Sequence, residues 1–524
     1  MSRIVLRGGT VADGSGGRPR VADVAIVGER ITRVGEVPSK PGDETIDVSG
    51  RVVMPGFIDA HSHAEGRVFD PEVQLSLLRQ GVTSIIGGQD GVSYAPGDGA
   101  YATDYFGALN GAHPSYRGST VAELLATYDA TTPINVGYVI PAGTVRFEAV
   151  GYRGGPASPT ERLAMAGMVR EGMREGALGI STGLDYVPGI HQDTDEIVAL
   201  VAEAAEFGGL YVTHMRGGYE ENSRSGLDEV ARIALATGVR AHVSHLHGPA
   251  DVVLSALDDI EAAGVDVSFD AYPYRRGCTL AAMPLLPPDL LSGARAEVVA
   301  QLQHPAVRAR LVDDWFPVLD ERGILGPEWP DNFTFAHIDA AEWEWAEGLT
   351  VRVASARAQR TPAELMIDVL TAARLQVSCV VAVRQARSYD DMARILTDRR
   401  HTAGSDGIWV GRYAHPRARG TFARFLSLFL RERADYDLAE AAVHLSSRAA
   451  ERFGMRDRGL VRPGAFADLA VVDTVRVGAG ASYADPVHPA TGIDDVIVAG
   501  RVVLRDGALT GALAGRGIRR GTMT

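Results

Sequence analysis

Between residues 55 and 460, eight short apolar runs alternate with longer amphipathic stretches. That rhythm constrains the fold more than any other feature of the 524-residue chain. The runs predict strands over Phe57–His63, Thr83–Gly87, Ile134–Ile140, Ala177–Thr182, Leu210–His214, Arg240–His245, Val265–Tyr272 and Thr402–Ser405. Helical periodicity is expected between them, over Glu161–Glu175, Asp195–Phe207 and Leu227–Thr237. Strand then helix, eight times over, reads as an α/β fold of the (β/α)8 TIM-barrel type, with a doubly wound sheet as the alternative. The interval between the seventh and eighth runs is too long for one βα loop. Its segment 285–350 reads as an insertion over the barrel mouth, with a helix at Ala294–Gln303 and Trp315, Trp329, Trp343 and Trp345 as a local core. Residues 361–384 read as a helix and strand leading back to the barrel.

The two ends of the chain have a different style. Residues 1–54 and 461–524 alternate β-type runs with Gly turns, for example Asp23–Val27 before Gly28, and Asp495–Ala499 before Gly500. Neither end is long enough for a good sandwich alone; packed together they make one small β-sandwich domain beside a 55–460 barrel. A net charge of −14 argues against nucleic acid or an anionic membrane as partner. Two cysteines, Cys278 and Cys379, cannot form a disulfide framework. The first residues carry no apolar signal region, and no apolar run reaches 18 residues. The expectation is a cytoplasmic chain. The only lysine is Lys40, in an exposed Pro-Ser-Lys-Pro-Gly turn. A Schiff base, a P-loop lysine or a carbamylated-lysine metal bridge therefore lacks a plausible residue.

Chemistry concentrates at the ends of the apolar runs. In Asp59-Ala60-His61-Ser62-His63 the two imidazoles are two residues apart, so a strand puts them on one face, at the end where barrel active sites lie. Two such imidazoles can chelate one divalent metal, whereas two solvated loop histidines would be the structural reading. His214 and His245 end the fifth and sixth runs, one βα unit apart. A lone strand-end histidine is more often structural; two on neighbouring strands, added to the first pair, favour a ligand set. Asp406 follows the eighth run and precedes Gly407. It is a turn residue by habit, but barrel closure brings it beside the first strand as a general acid/base.

These residues, with Met54–Asp59, Gly176–Leu184, Thr213–Arg216, Asp270–Tyr274, Gly404–Gly407, His415–Arg417 and Arg458–Asp468, resemble the amidohydrolase superfamily. Within it the finer similarity is to N-acyl-D-amino-acid deacylases, over about residues 3 to 515. The resemblance implies a metal-dependent barrel that cleaves a small carboxylate-bearing amide to a carboxylic acid and a D-amino acid. Zinc activates water, and Asp406 moves the proton.

Three departures from that pattern stand out. The family's metal-ligating cysteine is replaced by Asp90 in Gly87-Gly88-Gln89-Asp90-Gly91, implying a harder ligand beside one tightly held zinc, or a bridge to a second divalent metal. The family lysine that binds the substrate carboxylate is replaced by His247, which can bind substrate, bind metal or cap the strand. Pro141-Ala142-Gly143 stands where a Gly-His pair is usual. The rest of the implied substrate set is Arg417, Tyr186 and one of Tyr272 and Tyr274, with Tyr274 preferred. Arg275 and Arg276 read as solvated loop charges or as contacts to an acidic side chain.

The competing readings are the same metal chemistry on a cyclic amide, dipeptide or lactone, and a non-catalytic barrel whose signature would be lost ligands. No Gly-x-Ser-x-Gly elbow supports a serine hydrolase, and no Gly-x-Gly-x-x-Gly opens a helix after the first strand.

Overall fold

The computed structural model describes residues 3–217, 219–321, 325–383 and 387–521. Eight parallel strands form the barrel. They are β1 (Phe57–Asp59), β2 (Val82–Gly87), β3 (Asn135–Pro141), β4 (Gly179–Gly183), β5 (Leu210–His214), β6 (Arg240–Val243), β7 (Val267–Ala271) and β8 (His401–Ala403). Each pairs with its sequence neighbour, in the order β8-β7-β6-β5-β4-β3-β2-β1. The ring closes where Ala60 N donates to Ala403 O at 3.1 Å, Asp406 N to His61 O at 2.8 Å, and Ser62 bridges Gly407. β2 to β5 are buried at every residue, which is why they read as continuous apolar runs rather than alternating ones.

Helices cover the barrel. Pro159–Arg174 starts with a capping box on Ser158 and Glu161, and carries Pro at its first turn. Thr194–Glu206 and Ser223–Thr237 turn Ile197, Leu200, Val201, Leu227, Val230 and Ile233 inward. Among the described residues, no helix is long and apolar enough to cross a membrane.

Both ends of the chain share one nine-stranded sheet. The splice is Val52–Pro55, which pairs antiparallel with Leu469–Val472 and parallel with Arg3–Val11. Leu6, Val24, Ile26, Val53, Leu469 and Val471 bury a core there that neither end could form alone.

A three-stranded antiparallel sheet interrupts the chain between β7 and β8, in the order Arg276–Leu280, Val377–Ala382, Phe333–Ile338. It encloses its own core, with Leu285, Leu302, Leu319, Trp329, Phe333, Phe335 and Leu370. The insertion therefore takes in more chain than 285–350. Its first strand, Arg-Gly-Cys-Thr-Leu, lacks an apolar alternation that would announce it.

Candidate metal centre

The loops after the strands aim six side chains at one point inside the mouth. His61 and His63 follow β1, with ring centroids 5.4 Å apart. Asp90 follows β2, His214 ends β5, His245 follows β6 and Asp406 follows β8. All six are buried.

The Asp90 carboxylate is the hub. Its Oδ1 lies 3.5 Å from His61 Nε2 and 3.5 Å from His245 Nε2; its Oδ2 lies 3.6 Å from His63 Nε2 and 4.0 Å from His214 Nδ1. Asp406 Oδ1 lies 3.4 Å from His63 Nε2 and 3.8 Å from His61 Nε2. Two overlapping groups result, His61-His63-Asp90-Asp406 and Asp90-His214-His245. Within each, one donor atom per residue lies within 4.8 Å of the others.

The backbone works to hold this arrangement. Asp90, His245 and Asp406 adopt positive φ of 55°, 34° and 47°, a region non-glycine residues avoid. Around Asp90 the loop needs glycine: Gly88 and Gly91 are also left-handed, and a Cβ on Gly91 would lie 2.6 Å from Gly183 N. Strain of this kind persists where surrounding structure over-determines it, as at ligand sites.

Among the described residues, His61 Nε2 and Asp90 Oδ1, 3.5 Å apart, are buried without a hydrogen-bond partner. Buried polar atoms are normally paired, so two such atoms facing each other in one cluster mark a place that suits a cation. Imidazole nitrogens and carboxylate oxygens are the donors a zinc-like divalent cation takes, so the residues fit such a cation.

Charge is strongly coupled here. Burial disfavours the His63 cation, yet Asp406 and Asp90 override it and raise the group to about 10. Burial likewise opposes the Asp90 anion, but His61 and His245 hold it well below the usual carboxylate range. Asp406 is held low against burial chiefly by Arg417. His214 is raised, burial being outweighed by Asp185 at 3.2 Å and by Asp90.

The remaining residues singled out from sequence divide. Arg417 faces Asp406, with Nη2 2.7 Å from Oδ2 and Nε donating to the backbone oxygen at 2.6 Å. Tyr272 lies under the Arg417 guanidinium at 4.6 Å. Tyr186 packs 4.9 Å from the His214 ring. Tyr274, the preferred tyrosine, does not join them. β7 ends at Ala271 and the chain turns; both tyrosines approach His415, but Tyr274 packs against Gly420 and under the Arg424 guanidinium at 5.0 Å. The strand rule that put Tyr272 and Tyr274 on one face fails because the strand stops first.

His247 is beside the cluster rather than in it. It stacks on Tyr219 at 4.7 Å, and its Nδ1 donates to His245 O at 2.8 Å. Its Nε2 is 3.5 Å from Glu220 Oε1, which Arg387 pairs at 2.7 Å. Burial and the Arg387 charge push its pKa well down, leaving a neutral ring.

Sequence reasoning assigned no role to Asp185, Tyr219, His242 or Asp270. Tyr219 packs 5.2 and 5.1 Å from the His214 and His245 rings, from a loop with no periodic signal.

A parallel barrel with a histidine–carboxylate cluster at its mouth defines a metallohydrolase, and comparison with known proteins narrows the class. The amidohydrolase family profile matches residues 44–504. The N-acyl-D-glutamate deacylase of Alcaligenes xylosoxydans xylosoxydans is 30% identical over 97% of this chain and 98% of its own. The crystal structure of a D-aminoacylase superposes with a TM-score of 0.82 at 27% identity, over 99% of both chains. The N-acyl-D-glutamate deacylase of Bordetella bronchiseptica, complexed with zinc and a phosphonate mimic of the tetrahedral intermediate, superposes with a TM-score of 0.80 at 26% identity, over 98% of this chain and 99% of its own. The chain belongs to the amidohydrolase family.

Proposed function

We propose that the chain is a zinc-dependent deacylase of N-acyl-D-amino acids, releasing a carboxylic acid and a D-amino acid. The observation that carries it is the pair of overlapping donor groups, buried and partly unpartnered, joined by Asp90. The substrate class is supported by the activities of full-length relatives.

His61, His63, Asp90, His214 and His245 would hold the metal. Asp90 faces both groups, so it suits one tightly held zinc and can bridge to a second divalent ion. When bound, the cation supplies Lewis acidity, activating water at neutral pH and polarising the scissile carbonyl.

Asp406 carries the proton. Its Oδ2 is tied to Arg417, leaving Oδ1, toward His63 and His61, as the basic atom. It takes a proton from the attacking water as the oxygen bonds to the carbonyl carbon. It then delivers that proton to the amide nitrogen as the C–N bond breaks. Arg417 orients Asp406 and keeps further N–H donors for the substrate carboxylate. Tyr186 and Tyr272 wall the substrate, and His247 offers a neutral hydrogen-bonding edge.

A cyclic amide is the second reading. Neutral His247 with Glu220 beside it gives a substrate carboxylate a weaker welcome on that side. Turnover of N-acetyl-D-, N-acetyl-L- and cyclic amides by zinc-loaded protein separates the readings. D-selective hydrolysis of the linear substrates is expected; turnover of the cyclic amide alone would replace the first reading with the second.

A further inference from the structure

Behind the donor cluster lies a row of buried polar side chains that the proposed reaction does not use. Asp270, at the end of β7, is fully buried, and its two oxygens serve two different donor residues. Oδ1 accepts the backbone N–H of His245 at 2.8 Å. Oδ2 lies 3.4 Å from His61 Nδ1 and 3.1 Å from His242 Nε2. His242, also fully buried, has its Nδ1 2.8 Å from Ser268 Oγ. A chain Ser268–His242–Asp270–His61 thus runs from the barrel interior to the donor cluster.

Each contact has a definite consequence. An imidazole has two nitrogens, and the partner of one fixes what the other can do. With Nδ1–H of His61 turned to Asp270, its Nε2 is left as a bare lone pair toward Asp90 and Asp406. The backbone bond to His245 falls at a residue with φ of 34°, the strained turn that aims the ring at Asp90. Asp270 has little room to move: a Cβ on Gly404, the residue just after β8, would lie 2.7 Å from its Oδ1, so the backbone there packs close against it. Leu246 N donates to the Asp270 backbone oxygen at 2.7 Å, holding the main chain as well.

We propose that Asp270 is the positioning residue of the metal centre, setting the tautomer of His61 and the backbone turn of His245, with His242 and Ser268 as the chain that orients it. Such outer carboxylates raise ligand basicity, and their loss commonly weakens metal binding by about 10–100-fold. The inference rests on the cluster being the metal site.

The test is zinc competition with a chromophoric chelator, run on metal-stripped wild type, Asp270→Asn and His242→Gln. Thermal melting of each metal-free protein is recorded alongside. Asp270→Asn keeps the side-chain shape but turns an N–H₂ toward His61 and His242. The expected result is zinc affinity down about 10–100-fold with metal-free melting within a few degrees of wild type. His242→Gln, which leaves Asp270 in place, should lose a smaller factor. The nitrogen shifts of His61 in labelled protein should report an inverted tautomer in Asp270→Asn. Unchanged zinc affinity in Asp270→Asn would overturn the proposal, as would a melting loss that fully accounts for the weaker binding. If Asp270→Asn does not fold, His242→Gln decides: weaker zinc binding in folded protein supports the chain, and wild-type affinity overturns it. Wild type that takes up no zinc would instead overturn the metal-centre reading itself.

Discussion

Two groups of buried imidazoles on the same barrel are made opposites by their surroundings. Inside the mouth, His61, His63, His214 and His245 face Asp90 and Asp406, and several of their nitrogens have no hydrogen-bond partner. Outside the wall, His401 at the start of β8 meets His444 on the helical layer, Nδ1 to Nδ1 at 3.0 Å, and among the described residues no carboxylate is bonded to either ring. There the second nitrogen of His401 faces Ala271 O at 3.3 Å, and Arg448 lies 3.0–3.1 Å from both nitrogens of His444. Burial pushes His401 down to about 3 and His444 well below its ordinary value. The mouth instead drives His63 up to about 10. Histidine content alone therefore does not make a metal site. Carboxylates at bonding distance, unpartnered nitrogens and strained loops that aim them do.

The largest expected effect breaks the mouth cluster at its hub. Asp90→Ala should remove bound zinc and lower kcat/KM by about 10⁴-fold, several kcal/mol of lost transition-state stabilisation. Metal analysis beside steady-state kinetics checks both. A variant that keeps its zinc would show that the histidines suffice without the carboxylate.

Asp406→Asn comes next. It should keep zinc and lose about 10²–10³-fold in kcat, since it removes only proton transfer. Zinc loss in this variant would place Asp406 among the ligands rather than with the base.

Proton release sharpens the contrast without a mutation. Metal-free His63 holds a proton to about pH 10, a stabilising pairing fully present below its unfolded value of about 6.5 and lost as pH rises through 10. Zinc uptake at pH 8 should therefore expel about one proton from the mouth, read by an indicator dye. Uptake with no proton released would contradict the charge state assigned to His63.

The smallest effects concern the outer pair. His401 is depressed, so the unfolded chain binds a proton near pH 6.5 that the native protein refuses until about pH 3. Stability should fall with pH across that window by about 1.4 kcal/mol per unit for this one proton. His401→Gln should flatten the acid limb of a denaturation series. His444→Phe should leave zinc stoichiometry unchanged and cost about 1–3 kcal/mol of stability.

Much of this architecture was legible because barrel strands are buried on both faces and read as uninterrupted apolar runs. Leu210–His214 coincides end to end with β5. The expected first strand runs through His63, but β1 stops at Asp59, because the residues after it leave the ladder to reach the mouth, joined to the loop after β8 by Asp406 N to His61 O and His63 N to Gly407 O. The strand Arg276–Leu280 escaped because half-exposed residues of mixed polarity carry no period. Strand-end position was enough to single out the mouth histidines. It said nothing of Asp185 or Tyr219, which reach the cluster from loops, or of Asp270, whose role depends on which side chains β1 and β6 bring to it. Placing Tyr272 and Tyr274 on one strand face assumes a strand that continues to Tyr274, three residues past the end of β7 at Ala271.

The most direct test of the central claim is to strip the protein with a chelator and titrate zinc back, following bound metal and hydrolysis of an N-acetyl-D-amino acid together. Activity that rises with the first equivalent of zinc, on the D substrate and not its L counterpart, is the result expected of a mouth that holds metal through Asp90. Full turnover by metal-free protein, or stoichiometric zinc without hydrolysis of either enantiomer, would contradict it.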